Sequence, residues 1–178
     1  ELSSFEPYQN ANHDTPPTNH FARFTARNTH FLKRLGITHV LNCAFGHGRY
    51  GMVSTSAEFY QQHAIEFKGL PLEDSLTEPI SRCFDECVQF LDTVLLRPEP
   101  GKVFVHCREG VSRSATIVIA YLMIRHRYSV EDATKLVIAS RWIRPNSNFQ
   151  RQLVQLDFQL RQEEELQNVK TLSYRNGS

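Results

Sequence analysis

The chain has 178 residues, 40% of them hydrophobic and 22% charged, and carries a net charge of +1 at neutral pH. These values describe one globular domain with a full core and exclude a bulk electrostatic commitment to nucleic acid or to an acidic membrane surface. The four cysteines, Cys43, Cys83, Cys87 and Cys107, lack the paired spacing of a disulfide scaffold, and the longest apolar run, residues 115–124, is far too short to span a bilayer.

Residues 1–24 are rich in Asn, Thr, Pro and His, and Pro7, Pro16 and Pro17 interrupt any regular period. An irregular N-terminal arm is expected there, without the charged-then-apolar pattern of a secretion signal. Phe31, Leu32 and Leu35 then share a helical face, Gly36 stops that helix, and residues 37–41 read as a buried strand. Gly46, Gly48 and Gly51 loosen the next loop, where His47 and Arg49 read as solvated rather than as phosphate ligands. Residues 57–63 form a short helix, and residues 65–70 a second buried strand ended by Pro71. A loop over residues 72–77 carries Glu73 and Asp74 into a helix expected over residues 79–96. Ile80, Cys83, Phe84, Cys87, Leu91, Val94 and Leu95 line one face of that helix, so Cys83 and Cys87 read as core thiols; no second ligand pair has zinc-like spacing.

After a turn at residues 97–101, residues 103–106 form a strand that runs into Cys107, a short loop with Gly110 and Ser112, and a long apolar helix opened by Arg113 and Ser114. A loop ending in a helix N-terminus converges several backbone N–H groups on one point, with the helix dipole behind them, and so accepts an anion. Gly110 permits the required backbone conformation. Arg113 has the planar fork to hold two phosphate oxygens, and the same positive field favours a thiolate at Cys107. Further on, Ser129 with Asp132, and Ser147 with Gln150, read as helix starts. Residues 163–178 read as a polar tail frayed beyond the last helix.

A nucleophile under a phosphate cradle needs an acid to protonate the departing oxygen. If the strand over residues 65–70 runs parallel to that over residues 103–106, both end on the same sheet edge, and an acid on the loop over residues 72–77 reaches the cradle. Glu73 and Asp74 both qualify by position.

The segment His106-Cys107-Arg108-Glu109-Gly110-Val111-Ser112-Arg113-Ser114 resembles the HCxxGxxRS signature of the cysteine-based protein tyrosine phosphatase superfamily. Residues 32–160 resemble a dual-specificity phosphatase domain of the atypical, VHR-like kind. The resemblance implies an α/β fold with a central mixed, mostly parallel sheet flanked by helices on both faces, and a catalytic domain over residues 25–162. It implies hydrolysis of phosphotyrosine and phosphoserine or phosphothreonine through a cysteinyl-phosphate, with no metal and no cofactor. Cys107, Arg113, Asp74 and Ser114 would be catalytic, with Asp74 selected over Glu73 by the family pattern. Arg108, Glu109, Gly110, Val111 and Ser112 would cradle the phosphate, and Arg141 matches a position that can hold a second one.

The chain departs from the pattern in two places. The short strand and Gly-Asn turn that usually precede the first helix are missing over residues 15–27, and Asn148 stands where Gly is common. Pro145, Asn146 and Phe149 match as structural positions. The resemblance further implies phosphoprotein substrates, MAP kinases among them, no nucleic-acid or membrane partner, and a reducing compartment, cytoplasm or nucleus. Two other readings are a catalytically impaired phosphoprotein-binding module, against which Cys107, Arg113 and Asp74 all speak, and a phosphatase of lipid or RNA phosphates. Against the latter stands Glu109, where phosphoinositide-cleaving relatives often carry Lys and where a carboxylate repels a polyphosphate headgroup.

Overall fold

The structure is a computed structural model describing residues 22–48 and 50–176. The irregular arm expected over residues 1–24 lies outside the described residues except for residues 22–24, which are helical instead. They open α1 (Ala22–Arg27), which is followed by α2 (Thr29–Arg34). Asn28 separates the two because its side chain caps the second, accepting from the Phe31 amide at 3.0 Å. Gly36, at φ +75°, then turns the chain into the sheet.

Three strands, β1 (His39–Asn42), β2 (Glu66–Gly69) and β3 (Val103–His106), form a sheet in the order β2-β1-β3. Both pairings are parallel, and no antiparallel strand occurs among the described residues. Parallel pairing follows from the connections, since each strand is followed by a crossover that carries a helix. These helices are α3 (Ala57–Gln61) and α4 (Phe84–Leu95). Because β1 is central, all four of its residues are buried. Val40 packs with Leu32, Ile37, Tyr60 and Ile65 on one face. Leu41 faces the larger core on the other, with Leu91, Ile117 and Phe149.

The single helix expected over residues 79–96 is divided. A 3₁₀ turn, Ile80–Cys83, precedes α4, and the Phe84 amide bonds to the Ser81 carbonyl in the tighter i+3 pattern. Next comes α5 (Arg113–His126), buried on nearly every side through Met123, as its uninterrupted apolar sequence requires. Ser129 caps α6 (Val130–Ser140) through the Asp132 amide at 3.1 Å, as its spacing predicts.

The last helix, α7 (Ser147–Asn176), differs from expectation at both ends. Its cap is Asn146, whose Oδ1 accepts from the Phe149 amide at 3.0 Å, rather than Ser147. Residues 163–176, expected to fray, continue the helix. No Gly or Pro interrupts residues 147–176, which are rich in the strong helix formers Glu, Gln and Leu. Among the described residues no helix is long and apolar enough to cross a membrane.

Candidate active site

All three strands end at one edge of the sheet, and the loop from β3 to α5 rises from it. The Cys43 amide, just past β1, donates to the His106 carbonyl at 2.7 Å, so the last residue of β3, immediately before the loop, is held from the neighbouring strand. Cys107 is 1% exposed. Its Sγ accepts from the Gly110 amide at 3.2 Å and from the Ser114 hydroxyl at 3.5 Å. Gly110 stands at φ +80°, and a Cβ there would come within 3.2 Å of the Ala22 Cβ and 3.3 Å of Arg141 Nη1. The turn therefore favours glycine, and a side chain there would also press on its neighbours.

Burial by itself pushes the Cys107 thiol up, but the Arg113 charge, the Ser114 hydroxyl and the amides of Ser114 and Gly110 together outweigh it, and the thiol lies below its ordinary value. The other three cysteines go the opposite way. Burial pushes Cys43 well up, Cys83 up, and Cys87 up to about 12. Of four buried free thiols, one is tuned toward the nucleophilic thiolate. His106 is also buried, with Nδ1 2.9 Å from the Cys107 carbonyl oxygen, and burial holds it down to about 4. It is a neutral group orienting the start of the loop.

Arg113, 4% exposed, does not extend freely over the cradle. Its Nη1 donates to the carbonyls of Gly51 at 3.0 Å and Leu72 at 3.1 Å, fastening the loops after β1 and β2 to the start of α5. Its buried Nε has no hydrogen-bond partner. An orphaned guanidinium donor at the start of α5, beside the Cys107 loop, fits an anionic ligand.

Asp74 lies beside this donor, with Oδ2 3.7 Å from Arg113 Nε. Its Oδ1 accepts from the Ser112 hydroxyl and from Asn146 Nδ2, each at 2.8 Å. Because the Asn146 amide donates to Ser112 Oγ at 3.2 Å, the serine proton is directed at Asp74. Of the two acids that position alone left open, Asp74 meets the cradle, while the Glu73 amide is turned back to Glu78.

The other expected residues form the rim. Arg108 lies 4.2 Å over the Tyr50 ring, with its Nε 3.2 Å from Glu109 Oε1. Arg23 approaches the same carboxylate oxygen at 3.8 Å. Glu109 thus faces two guanidinium groups, which offset the repulsion that its charge alone would exert on a polyphosphate headgroup. The Val111 carbonyl accepts from the Arg144 amide at 2.9 Å, and Arg141 is half-buried against Gly110. His47 is exposed, and Arg49 lies outside the described residues. The bonds of Ser112 and Asn146 to Asp74 are not legible in the sequence. Ser147 competes with Asn146 as the helix cap, and the Ser112–Asp74 bond, between residues 38 apart in the chain, has no local signature.

A family profile described as "Dual specificity phosphatase, catalytic domain" matches residues 21–159. Dual specificity protein phosphatase 26 of Mus musculus is 43% identical over 137 residues, covering 77% of this chain and 62% of that protein; its Rattus norvegicus counterpart matches to the same extent. The chain therefore spans about three-fifths of the length of these curated relatives. Among solved structures, DUSP15 superposes with a TM-score of 0.60 at 27% identity, over 78% of this chain and 86% of that one. The human tyrosine phosphatase-like serine/threonine/tyrosine-interacting protein does so with a TM-score of 0.57 at 31% identity, over 76% and 81%. Human DUSP28, at 20% identity and a TM-score of 0.65 over 83% of this chain and 97% of that one, shares the fold.

Proposed function

The chain belongs to the dual specificity phosphatase family, and from that premise we propose that it hydrolyses phosphotyrosine and phosphoserine or phosphothreonine in phosphoproteins, with residues 25–162 as its catalytic domain. The observation that carries the reading is the pairing of the one lowered thiol, Cys107, with the orphaned Nε of Arg113 at the same cradle. The Cys107 thiolate attacks phosphorus in line, forming the S–P bond as the P–O bond to the leaving group breaks. Arg113 and the amides of residues 108–113 hold the equatorial oxygens. Asp74 gives its proton to the departing oxygen. Since Oδ1 is taken up by Ser112 and Asn146, Oδ2 is the atom that carries that proton.

In the second displacement water attacks the cysteinyl-phosphate, Asp74 takes up the water proton, and the S–P bond breaks to return the thiolate. The Ser114 hydroxyl, 3.5 Å from Sγ, stabilises that leaving group. The products are the free hydroxyl and inorganic phosphate. Arg141, half-buried against Gly110, is placed to meet a second phosphate of a doubly phosphorylated substrate. MAP kinases belong to this reading through the family resemblance alone, as does a reducing compartment, cytoplasmic or nuclear, which keeps Cys107 free.

The test is phosphate release from an aryl phosphate and from a doubly phosphorylated Thr/Tyr peptide, without added metal, by the wild type and Cys107→Ser. Turnover of both substrates by the wild type, lost in the variant, is expected. A folded wild type that binds the phosphopeptide and turns over neither would make the chain a phosphoprotein-binding module. Preferential turnover of polyanionic lipid or RNA phosphates would move the substrate class.

A further inference from the structure

Asp74 owes its place beside Arg113 to more than its own hydrogen bonds. Those bonds, to Ser112 and Asn146, are made by the very carboxyl group that gives up and regains a proton, and they are exposed to the site. The position of the loop needs support that does not change during the reaction. Such support exists five residues away. Glu78 is 8% exposed, whereas Glu73, Asp74, Leu76 and Thr77 around it are exposed. Its Oε2 accepts from the Glu73 amide at 2.9 Å, and its Oε1 from Arg82 Nη2 at 3.0 Å. A carboxylate this buried persists only with such partners, and a bond from an amide to an ionised acceptor is among the stronger ones.

The same residue is clamped through its backbone. Its carbonyl accepts from Asn148 Nδ2 at 2.8 Å and from Gln152 Nε2 at 2.9 Å, both on α7. Gln152 Oε1 in turn accepts from the Ser81 amide at 2.9 Å. At the other end of the loop, Leu72 is fully buried and its carbonyl is held by Arg113. The Glu78 carboxylate therefore closes residues 73–78 on themselves, joining a segment fixed to α7 to the residue immediately before Asp74.

We propose that Glu78 is a positioning residue for the acid: its buried carboxylate, bound to the Glu73 amide and fixed to α7 through Asn148 and Gln152, sets the distance between Asp74 and the cradle. This rests on Asp74 being the acid, and it adds a residue that touches neither substrate nor Cys107. An acid matters in proportion to how badly the leaving oxygen needs a proton. Displacing it must therefore slow poor leaving groups more than good ones, which a general loss of folding or of phosphate binding would not do.

The experiment compares turnover of phenyl phosphate and 4-nitrophenyl phosphate by the full chain as wild type, Asp74→Asn, Glu78→Leu and Glu78→Gln, with inhibition by inorganic phosphate as the control on the cradle. Asp74→Asn is expected to lose about 100-fold or more on phenyl phosphate and much less on the nitrophenyl ester. Glu78→Leu, which keeps the volume and removes the acceptor, is expected to show the same selectivity at about 10-fold, with phosphate inhibition unchanged. Glu78→Gln, which keeps an acceptor oxygen, is expected to recover most of that loss. In the wild type, hydrogen exchange at the Glu73 amide should be slow beside that at Leu76 and Thr77. Selective loss in Asp74→Asn but equal or no loss in Glu78→Leu would overturn the role of Glu78 alone. Absence of selectivity in Asp74→Asn would overturn the acid assignment and this inference with it. A Glu73 amide that exchanges as fast as its exposed neighbours would remove the tie without recourse to any variant.

Discussion

Acidification should destabilise this protein through His106, and the size of the effect follows from its surroundings. Nδ1 lies 2.9 Å from the Cys107 carbonyl oxygen, which can only accept, so Nδ1 carries the proton; Nε2 is buried without a partner. Burial is the largest reason that the imidazole resists protonation. The Arg113 charge adds to it, and the bond to the Cys107 carbonyl opposes it, leaving the folded value at about 4 against 6.5 for a free histidine. The folded value is the lower one, so the unfolded chain takes up the proton first as pH falls. Stability from this residue is complete above about pH 6.5 and is lost progressively down to about pH 4, for roughly 3 kcal/mol in all and roughly 2 kcal/mol by about pH 5.

The measurement is urea unfolding of the wild type and His106→Asn at about pH 7.5 and about pH 5. Asparagine retains an N–H near the Nδ1 position and does not titrate. The loss of stability between the two pH values should be smaller in the variant by roughly 2 kcal/mol. His39, also lowered chiefly by burial, is common to both proteins and cancels in the comparison. Equal losses in wild type and variant would refute the argument, because they would mean that His106 is either solvated or already charged in the folded chain.

Ser114→Ala removes a donor to the Cys107 sulfur. A hydrogen bond to a charged acceptor contributes about 1.5 kcal/mol, so the pH midpoint of Cys107 alkylation by iodoacetamide should move up by about one unit, slowing the reaction roughly tenfold below that midpoint. An unchanged rate would show that Arg113 and the amides hold the thiolate without the hydroxyl. Ala64 sits at φ 51°, in the left-handed region, on an exposed turn between α3 and β2. Ala64→Gly should relieve that strain and stabilise the protein by about 0.5–1 kcal/mol after the extra chain entropy of glycine, raising the thermal midpoint by about 2 °C. A lower midpoint would contradict the strain.

The strand, loop and helix around Cys107 were legible because every physical instruction for them is local. Residues 103–106 are apolar or β-branched apart from His106, Gly110 supplies the turn, and the run from Ala115 is apolar on all sides of a helix that is buried on all sides. The caps at Asn146 and Ser147 compete within one residue, so the sequence pattern shows that α7 exists but starts it one residue late. The long polar continuation of α7 is hidden in the sequence for a related reason. Propensity favours helix there, but polarity on every face reads as tail unless the helix is already nucleated by packing upstream, as Phe149 and Leu153 provide.

The environment of Asp74 had no such local signature. Its partners come from the cap of α7 and from the Cys107 loop, Glu78 accepts from a backbone amide that any residue but proline at position 73 would supply, and Asn148, legible only as a departure from a family pattern, holds the Glu78 carbonyl. The covalent sequence by itself determined the strand, Cys107 loop and helix and the alternation of strands with helices, because those depend on residues close together in the chain. Only the tertiary structure decided which carboxylate of residues 72–77 stands beside Arg113, how Arg113 is held and what fixes that loop. Those depend on hydrogen bonds and burial between segments separated by tens of residues, and such bonds form only once the sheet has brought its edges together.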